Sequence, residues 1–325
     1  MTKADTAFSH DPVLINEVIS ALQPRDGGAY VDGTLGVGGY TRAILDAADC
    51  SVWAIDRDPD TIRNAEVMAE EYSGRLTVVE GRFGDMVRIL KEDGVSTVDG
   101  IALDLGVSSM QLDDPCRGFS FRHSGPLDMR QEKDGPSASD LINEAEESFL
   151  ADIIYKYGEE RRARRIARAI VAARTEAPLT NTLQLADIVR NSYGHRRDMK
   201  IDPATKTFQA IRIHVNDELG ELSRGLGAAE ILLAPGGRLA VVSFHSIESR
   251  ITKEFVRSRA GNQPVGSRHL PLVDIGCDEP TFRPVHRGVI EPTEKEKQRN
   301  PRSRSARLRV AERTNAPVTV ETERG

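Results

Sequence analysis

Cysteine is scarce: Cys50, Cys116 and Cys277 are the only three in 325 residues. Odd in number and scattered, they fit neither a disulfide framework nor zinc-ligand spacing. No metal is expected, and a reducing cytoplasm is the simple inference. No apolar run is long enough to span a bilayer, and residues 1–9 lack the hydrophobic stretch of an export signal, so no membrane partner is expected. An excess of positive charge is also missing. Lys and Arg number 44 against 50 Asp and Glu, a formal net charge of -6. Contact with nucleic acid therefore has to come from local basic patches. The rest is ordinary globular composition, 39% hydrophobic and 29% charged, in a chain long enough for one large domain or two modest ones.

The stretch Tyr30-Val31-Asp32-Gly33-Thr34-Leu35-Gly36-Val37-Gly38-Gly39-Tyr40 reads as a buried strand, a glycine-rich turn and the start of a helix with Ala43, Ile44 and Ala47 on its apolar side. This is the first unit of a nucleotide-binding α/β fold. Glycine lets the backbone approach a ligand closely, and the free N–H groups of the helix start face it. The dinucleotide fingerprint G-x-G-x-x-G is incomplete, because Thr41 stands at the third glycine position. Asp32 ends the strand where a pyrophosphate would be repelled. A carboxylate there suits a positively charged ligand such as the amino group of a methionine moiety. The strand Ser51-Val52-Trp53-Ala54-Ile55-Asp56 ends in an acid placed to grip a ribose diol. Together Asp32 and Asp56 favour S-adenosylmethionine (SAM) over NAD.

Further along, Asp11 and Pro12 read as the cap and first residue of a helix carrying Leu14, Val18 and Leu22. A helix over about Thr61 to Tyr72 leads to strands at Leu76-Thr77-Val78-Val79-Glu80 and at Val98 to Leu103, the latter ending at Asp104. Ligands sit at the carboxyl ends of such strands. Three helical stripes follow, around Phe149 to Tyr157, Ala163 to Ile170 and Leu185 to Val189. Phe208 to Leu226 reads as one long helix, Arg238 to Phe244 as the fifth strand, and Arg299 to Arg309 as a late edge strand with a basic lead-in.

Nine motifs carry a family resemblance. They begin with His10-Asp11-Pro12-Val13-Leu14, the glycine stretch from Asp32 to Gly39, and Ala54-Ile55-Asp56-Arg57-Asp58-Pro59. They continue with Leu103-Asp104-Leu105-Gly106-Val107-Ser108-Ser109, Arg117-Gly118-Phe119-Ser120-Phe121 and Gly125-Pro126-Leu127-Asp128-Met129-Arg130. The last three are Pro203-Ala204-Thr205-Lys206-Thr207-Phe208-Gln209-Ala210, Ser243-Phe244-His245-Ser246 and Asn300-Pro301-Arg302-Ser303-Arg304-Ser305-Ala306. In this order they resemble the bacterial small-subunit ribosomal RNA methyltransferase H family, also called MraW.

The resemblance implies an α/β, class I SAM-dependent methyltransferase (Rossmann-like) sheet with an inserted all-helical domain. Residues 1–112 and 203–313 are expected to form the SAM-binding domain, 113–202 a helical RNA-recognition insertion, and 314–325 a loose tail. It implies methyl transfer from SAM to the exocyclic N4 of a cytidine (position 1402) of 16S rRNA, in the P-site region of the 30S subunit. Carried over, the SAM contacts fall on Gly38, Gly39, Tyr40, Asp56, Phe83, Asp104 and Gln111. Tyr40 stands where the family often has His. Asp104 and His245 are the candidate catalytic residues. Ser108, Ser109, Phe119, Asp128, Arg130, Phe244, Arg302 and Arg304 are candidate substrate contacts. The stacking group is sought among Phe119, Phe121, Phe244 and His245. Arg161, Arg162, Arg164, Arg165 and Arg168 form a second arginine cluster. Read without the family, the chain leaves two alternatives: an NAD-dependent oxidoreductase and a non-catalytic RNA-binding assembly factor.

Overall fold

Short apolar strands alternating with amphipathic helices build a seven-stranded sheet. The computed structural model describes residues 12–72, 74–194, 201–261 and 279–318. Its strands are β1 (Ala29–Asp32), β2 (Ser51–Asp56), β3 (Leu76–Glu80), β4 (Val98–Asp104), β5 (Leu233–Ser243), β6 (Phe282–Pro284) and β7 (Arg307–Arg313). The helices are α1 (Ile15–Leu22), α2 (Gly39–Ala47), α3 (Pro59–Glu71), α4 (Met86–Glu92), α5 (Ser109–Asp113), α6 (Ala138–Glu144), α7 (Glu147–Gly158), α8 (Ala163–Glu176), α9 (Thr182–Tyr193), α10 (Ala204–Val215), α11 (Glu218–Leu232), α12 (Ser246–Arg259) and α13 (Glu294–Arg299). The strand order is β3-β2-β1-β4-β5-β7-β6. β1 to β5 pair in parallel, and β7 runs antiparallel between β5 and β6. This is the α/β class I methyltransferase sheet expected from the sequence.

The period-2 alternation of a strand gives the sheet two apolar faces. Tyr30, Val52, Ala54, Ala102, Ala240, Val242, Leu308 and Val310 pack with α1, α2 and α3. Val31, Ile55, Ile101, Leu103, Leu239, Val241 and Ala311 pack with α4, α11 and α12. Asp32, Asp56 and Asp104 share the parity of the first set and end three adjacent parallel strands. They therefore stand at the carboxyl edge where the order reverses between β1 and β4, the usual crevice for a ligand.

The chain divides into two compact units, residues 1–106 with 221–325, and residues 107–220. The second is wider than the 113–202 read from the sequence. It takes in Ser108–Gln111 and α10. Its core joins Leu150, Ile154, Ile166, Ile170, Leu185, Val189, Phe208 and Ile211, largely the pairs that four-residue spacing puts on one helix face. Phe149 is the exception within its stripe: it is 48% exposed and rests edge-on against His214 at 5.4 Å.

Several expectations are corrected. Asp11 lies outside the described residues, and α1 begins at Ile15 rather than Pro12. Leu14 is left-handed (φ 54°) because the preceding segment is held by tertiary bonds: Leu14 N–H donates to Glu296 Oε1 at 2.8 Å, and the Val13 carbonyl accepts from the Tyr40 hydroxyl at 2.5 Å. The long helix is two, α10 and α11. Asn216 leaves the helical pattern to accept from Gln131 N–H and donate to the Met129 carbonyl, and Asp217 turns left-handed (φ 48°). β7 is not an edge, since the three-residue β6 covers it. The tail starts tied: Thr314 N–H donates to the Thr281 carbonyl at 2.9 Å, and Ala316 is buried; residues 319–325 are outside the description.

In the second unit, a Cβ on Gly125 would stand 1.8 Å from the Pro115 carbonyl oxygen. Gly125→Ala is expected to destabilise that unit by about 1–3 kcal/mol, the usual cost of overpacking. The measurement is an earlier urea transition in the helical signal.

Candidate active site

The glycine turn is stitched to both neighbouring strands. Gly33 N–H donates to the Ala102 carbonyl on β4 and Leu35 N–H to the Ile55 carbonyl on β2. Thr34 Oγ1 accepts from Asp104 N–H at 2.7 Å. Gly36 N–H donates to Asp56 Oδ2 at 2.8 Å. Gly36 and Gly38 have φ of 53° and 80°, a conformation that favours glycine. The space behind the turn is filled, since a Cβ on Gly39 would meet the Pro12 ring at 2.1 Å and one on Gly38 would meet Met68 at 2.7 Å. Neither Gly38 nor Gly39 has room there for a side chain.

Asp32 does not face a ligand, contrary to the sequence reading. It is fully buried and accepts from Thr34 N–H (3.2 Å), Thr41 N–H (3.1 Å) and the Thr41 hydroxyl (2.7 Å). Burial raises its pKa, and these hydrogen bonds pull the other way. Thr41 departs from the dinucleotide fingerprint because its hydroxyl serves this carboxylate. Tyr40 is also committed. Its ring is buried in the first core and its hydroxyl bonds Val13, so only its backbone is free to meet a cofactor.

Asp56 accepts from Gly36 N–H and from Asp58 N–H at 2.9 Å. Burial pushes its pKa up to about 6 against these bonds. It does not cap α3, because Asp58 does so by accepting from Asp60 N–H. Phe83 follows β3 and turns a ring edge to α11, where a Cβ on Gly225 would touch it at 2.3 Å. The next residue, Gly84, donates to Glu221 Oε1 at 2.7 Å.

Asp104 differs from the other two acids. Its Oδ1 is buried and meets no hydrogen-bond partner among the described residues. Burial, with Asp32 and Glu248 nearby, holds its pKa well above the usual carboxylate range. Phe244, at the end of β5, lies beside Gly106. His245 caps α12: its Nδ1 accepts from Glu248 N–H at 3.4 Å, and Glu248 Oε2 accepts from Phe244 and His245 N–H groups. His245 Nε2 lies 3.0 Å from Glu248 Oε1, yet off the line of a hydrogen bond, and is buried without a partner. The Nδ1 side of the ring is thus taken up by the start of α12. The Glu248 carboxylate is a functional candidate that sequence reasoning missed; the signal was an acid three residues after a cap.

Ser108, Ser109, Gln111, Phe119, Asp128 and Arg130 belong to the second unit. Ser108 and Gln111 cap α5 reciprocally. Phe119 is built into that unit's core, and Phe121 packs edge-on against Phe208 at 4.8 Å. Asp128 takes a two-pronged bond from Arg130 at 2.9 and 2.8 Å. Although burial raises the Asp128 pKa, the guanidinium holds it below the ordinary value. Arg302 and Arg304 sit in a 3-10 turn (Pro301–Ser305) anchored by buried Ser303. The turn runs into Arg307, which pairs with Ser243, so its backbone enters β7 at the carboxyl end of β5. Of the other arginine cluster, Arg162 is partly buried over the Tyr193 ring at 4.5 Å, whereas Arg161, Arg164, Arg165 and Arg168 are exposed.

The sequence model of the MraW methylase family matches residues 7–314. The chain belongs to the MraW methylase family. A protein of Rhodospirillum centenum named ribosomal RNA small subunit methyltransferase H is 58% identical over 314 residues, covering 97% of this chain and 95% of its own length. Proteins of the same name from Parvibaculum lavamentivorans and Paramagnetospirillum magneticum are each 56% identical, covering 97% and 95% of this chain and 92% and 97% of their own. The methyl donor of the family is SAM, and the residues fit it: a glycine turn offering backbone, a ribose-type acid in Asp56 and, in Asp104, an orphaned buried carboxylate oxygen that calls for a cationic or N–H partner. Membership sets aside the hydride-transfer alternative. Among the described residues no helix is long and apolar enough to cross a membrane.

Thr41→Val removes the shortest bond to buried Asp32. It is expected to destabilise the fold by about 1–3 kcal/mol, read as a lower urea midpoint with unchanged slope.

Proposed function

We propose that the protein transfers a methyl group from SAM to the exocyclic N4 of a cytidine in 16S rRNA, within the 30S subunit near its P site. The support for the RNA substrate is the shared name of relatives more than half identical to this chain. The observation that carries the chemistry is the Asp104 oxygen that meets no hydrogen-bond partner among the described residues, at the carboxyl edge of the paired strands β1 and β4.

Bound SAM supplies a methyl group already activated on a sulfonium, so the protein mainly aligns it with the acceptor. In this reading Asp56 takes the ribose hydroxyls, Phe83 borders the adenine, and the backbone of Gly38, Gly39 and Tyr40 borders the methionine end. Asp104 accepts from the target amino group. Cytosine N4 is a weak nucleophile, since its lone pair is drawn into the ring. A carboxylate acceptor orients its hydrogens and stabilises positive charge as the new bond forms. Phe244 offers a face for the base, held by Glu248 through its backbone N–H. The second unit, which carries Ser108, Ser109 and Gln111, is assigned to RNA recognition. Arg302 and Arg304 meet phosphates at the carboxyl edge. The deciding experiment is tritiated-SAM transfer to 30S subunits with nucleoside analysis. N4-methylcytidine is the expected product, and label in any other nucleoside refutes the reading.

Two outcomes are expected of the site. Asp104→Asn keeps an acceptor oxygen but loses the negative charge; the single-turnover rate with saturating SAM and subunits should fall at least about tenfold, with a smaller change in SAM affinity. Asp56 sets a pH dependence. Hydroxyl donors favour its ionised form, so binding lowers a pKa that stands at about 6 in the free protein. Below that pH the proton must be displaced, which weakens SAM by up to about tenfold per unit. Affinity should therefore rise with pH up to about 6 and level off above it. Calorimetry at several pH values reads this step, and Asp56→Asn should remove it.

A further inference from the structure

Arg309, on β7, is a half-buried cation with no ion pair among the described residues. Leu308 and Val310 on either side of it belong to the first core and Ala311 to the second; strand alternation therefore puts Arg309 on the face covered by α12. Its Nε is buried and meets no acceptor among the described residues. Burial lowers its pKa with no carboxylate opposing the shift, although a guanidinium stays charged under such pressure. Other inward arginines of the chain are matched. Arg313 donates to the carbonyls of Glu230, Thr281 and Thr314, Arg238 pairs with Glu312 at 2.7 Å, and Arg212 with Glu218 at 2.7 Å. An unmatched, partly buried charge destabilises the protein that carries it.

We infer that Arg309 receives a phosphate of the RNA backbone, in a site shared with its exposed neighbours on the same sheet edge. The inference rests on the proposed action on rRNA. Arg309 pairs with Val241, and Arg307 with Ser243. Arg309 thus lies two residues, roughly 7 Å, in from the carboxyl edge. α12 leaves that edge at Ser246 and packs back on β5, β6 and β7. Its exposed Arg250 comes about four residues later, roughly 6 Å in, and exposed Lys253 one turn further. Arg307 is exposed as well, 3.7 Å from Glu291. A phosphate suits this place chemically: it brings the missing negative charge, and the guanidinium fork matches its oxygens.

The test measures binding of 16S rRNA across a salt series, with thermal melting and SAM calorimetry on the same preparations. Arg309→Met should lower RNA affinity about tenfold and reduce the log–log salt slope by about one, while the melting temperature stays level or rises and SAM affinity is unchanged. Arg309→Lys should keep most of the slope. An unchanged affinity and slope in Arg309→Met overturns the inference and leaves the reading of function standing. A melting temperature several degrees lower in both variants, with the slope intact in Arg309→Lys and Arg309→Met alike, makes Arg309 structural and also overturns it. If the unaltered chain does not bind the RNA, both fall.

Discussion

The site depends on one buried carboxylate that no cation among the described residues neutralises. Asp32 closes β1, and its three hydrogen bonds reach forward at once to Thr34 in the turn and to Thr41 in the first turn of α2. Those bonds fix the angle at which helix meets strand, and so the line along which the backbone of Gly38 and Gly39 is offered. Asp56 then ties the turn sideways to β2, and Thr34 ties it to β4. Three strand ends are thereby held in one frame before any ligand arrives. Interior hydrogen bonds of this kind are strong because little water competes for them.

The frame concentrates negative charge. Asp32, Asp56 and Asp104 all have raised pKa values with burial as the main cause, and Asp104 also feels Asp32 and Glu248. Asp32 is internally satisfied and Asp56 nearly so, whereas one oxygen of Asp104 has nothing. The cationic SAM and a base amino group are ligands that such a pocket rewards. A pyrophosphate is one that it rejects, which gives a physical reason why a glycine turn resembling the dinucleotide fingerprint serves a different cofactor.

Much of this was legible in the sequence where local chemistry decides. β2 and β3 fall on the residues read for them, because a branched or aromatic apolar run ending in an acid is strong punctuation. Asp56 and Asp104 stand at strand ends for the same reason. The role of Asp32 was not legible, since nothing local shows that a threonine nine residues on will turn its hydroxyl inward. Nor was the break at Asn216–Asp217, which contains neither glycine nor proline and is made by bonds to Met129 and Gln131, more than eighty positions away. β6 has three residues, too few to show a period, so β7 read as an edge. The candidates Phe119 and Asp128 carry family motifs, but their side chains are engaged within the helical unit. A motif records that a residue matters without saying whether it matters to a ligand or to the fold.

The placement of β7 has a consequence for biosynthesis. The strand inserts between β5 and β6, although it is the last of the described strands to be synthesised. Until residues 307–313 emerge, β5 presents an open, apolar edge, the kind of surface that templates aggregation. The Leu14–Glu296 bond, which spans 282 positions, forms equally late. Such long-range pairings make folding slow. A nascent chain that stalls before Arg307 therefore holds every residue of the glycine turn and all three strand-end acids, yet lacks the strand that closes the sheet.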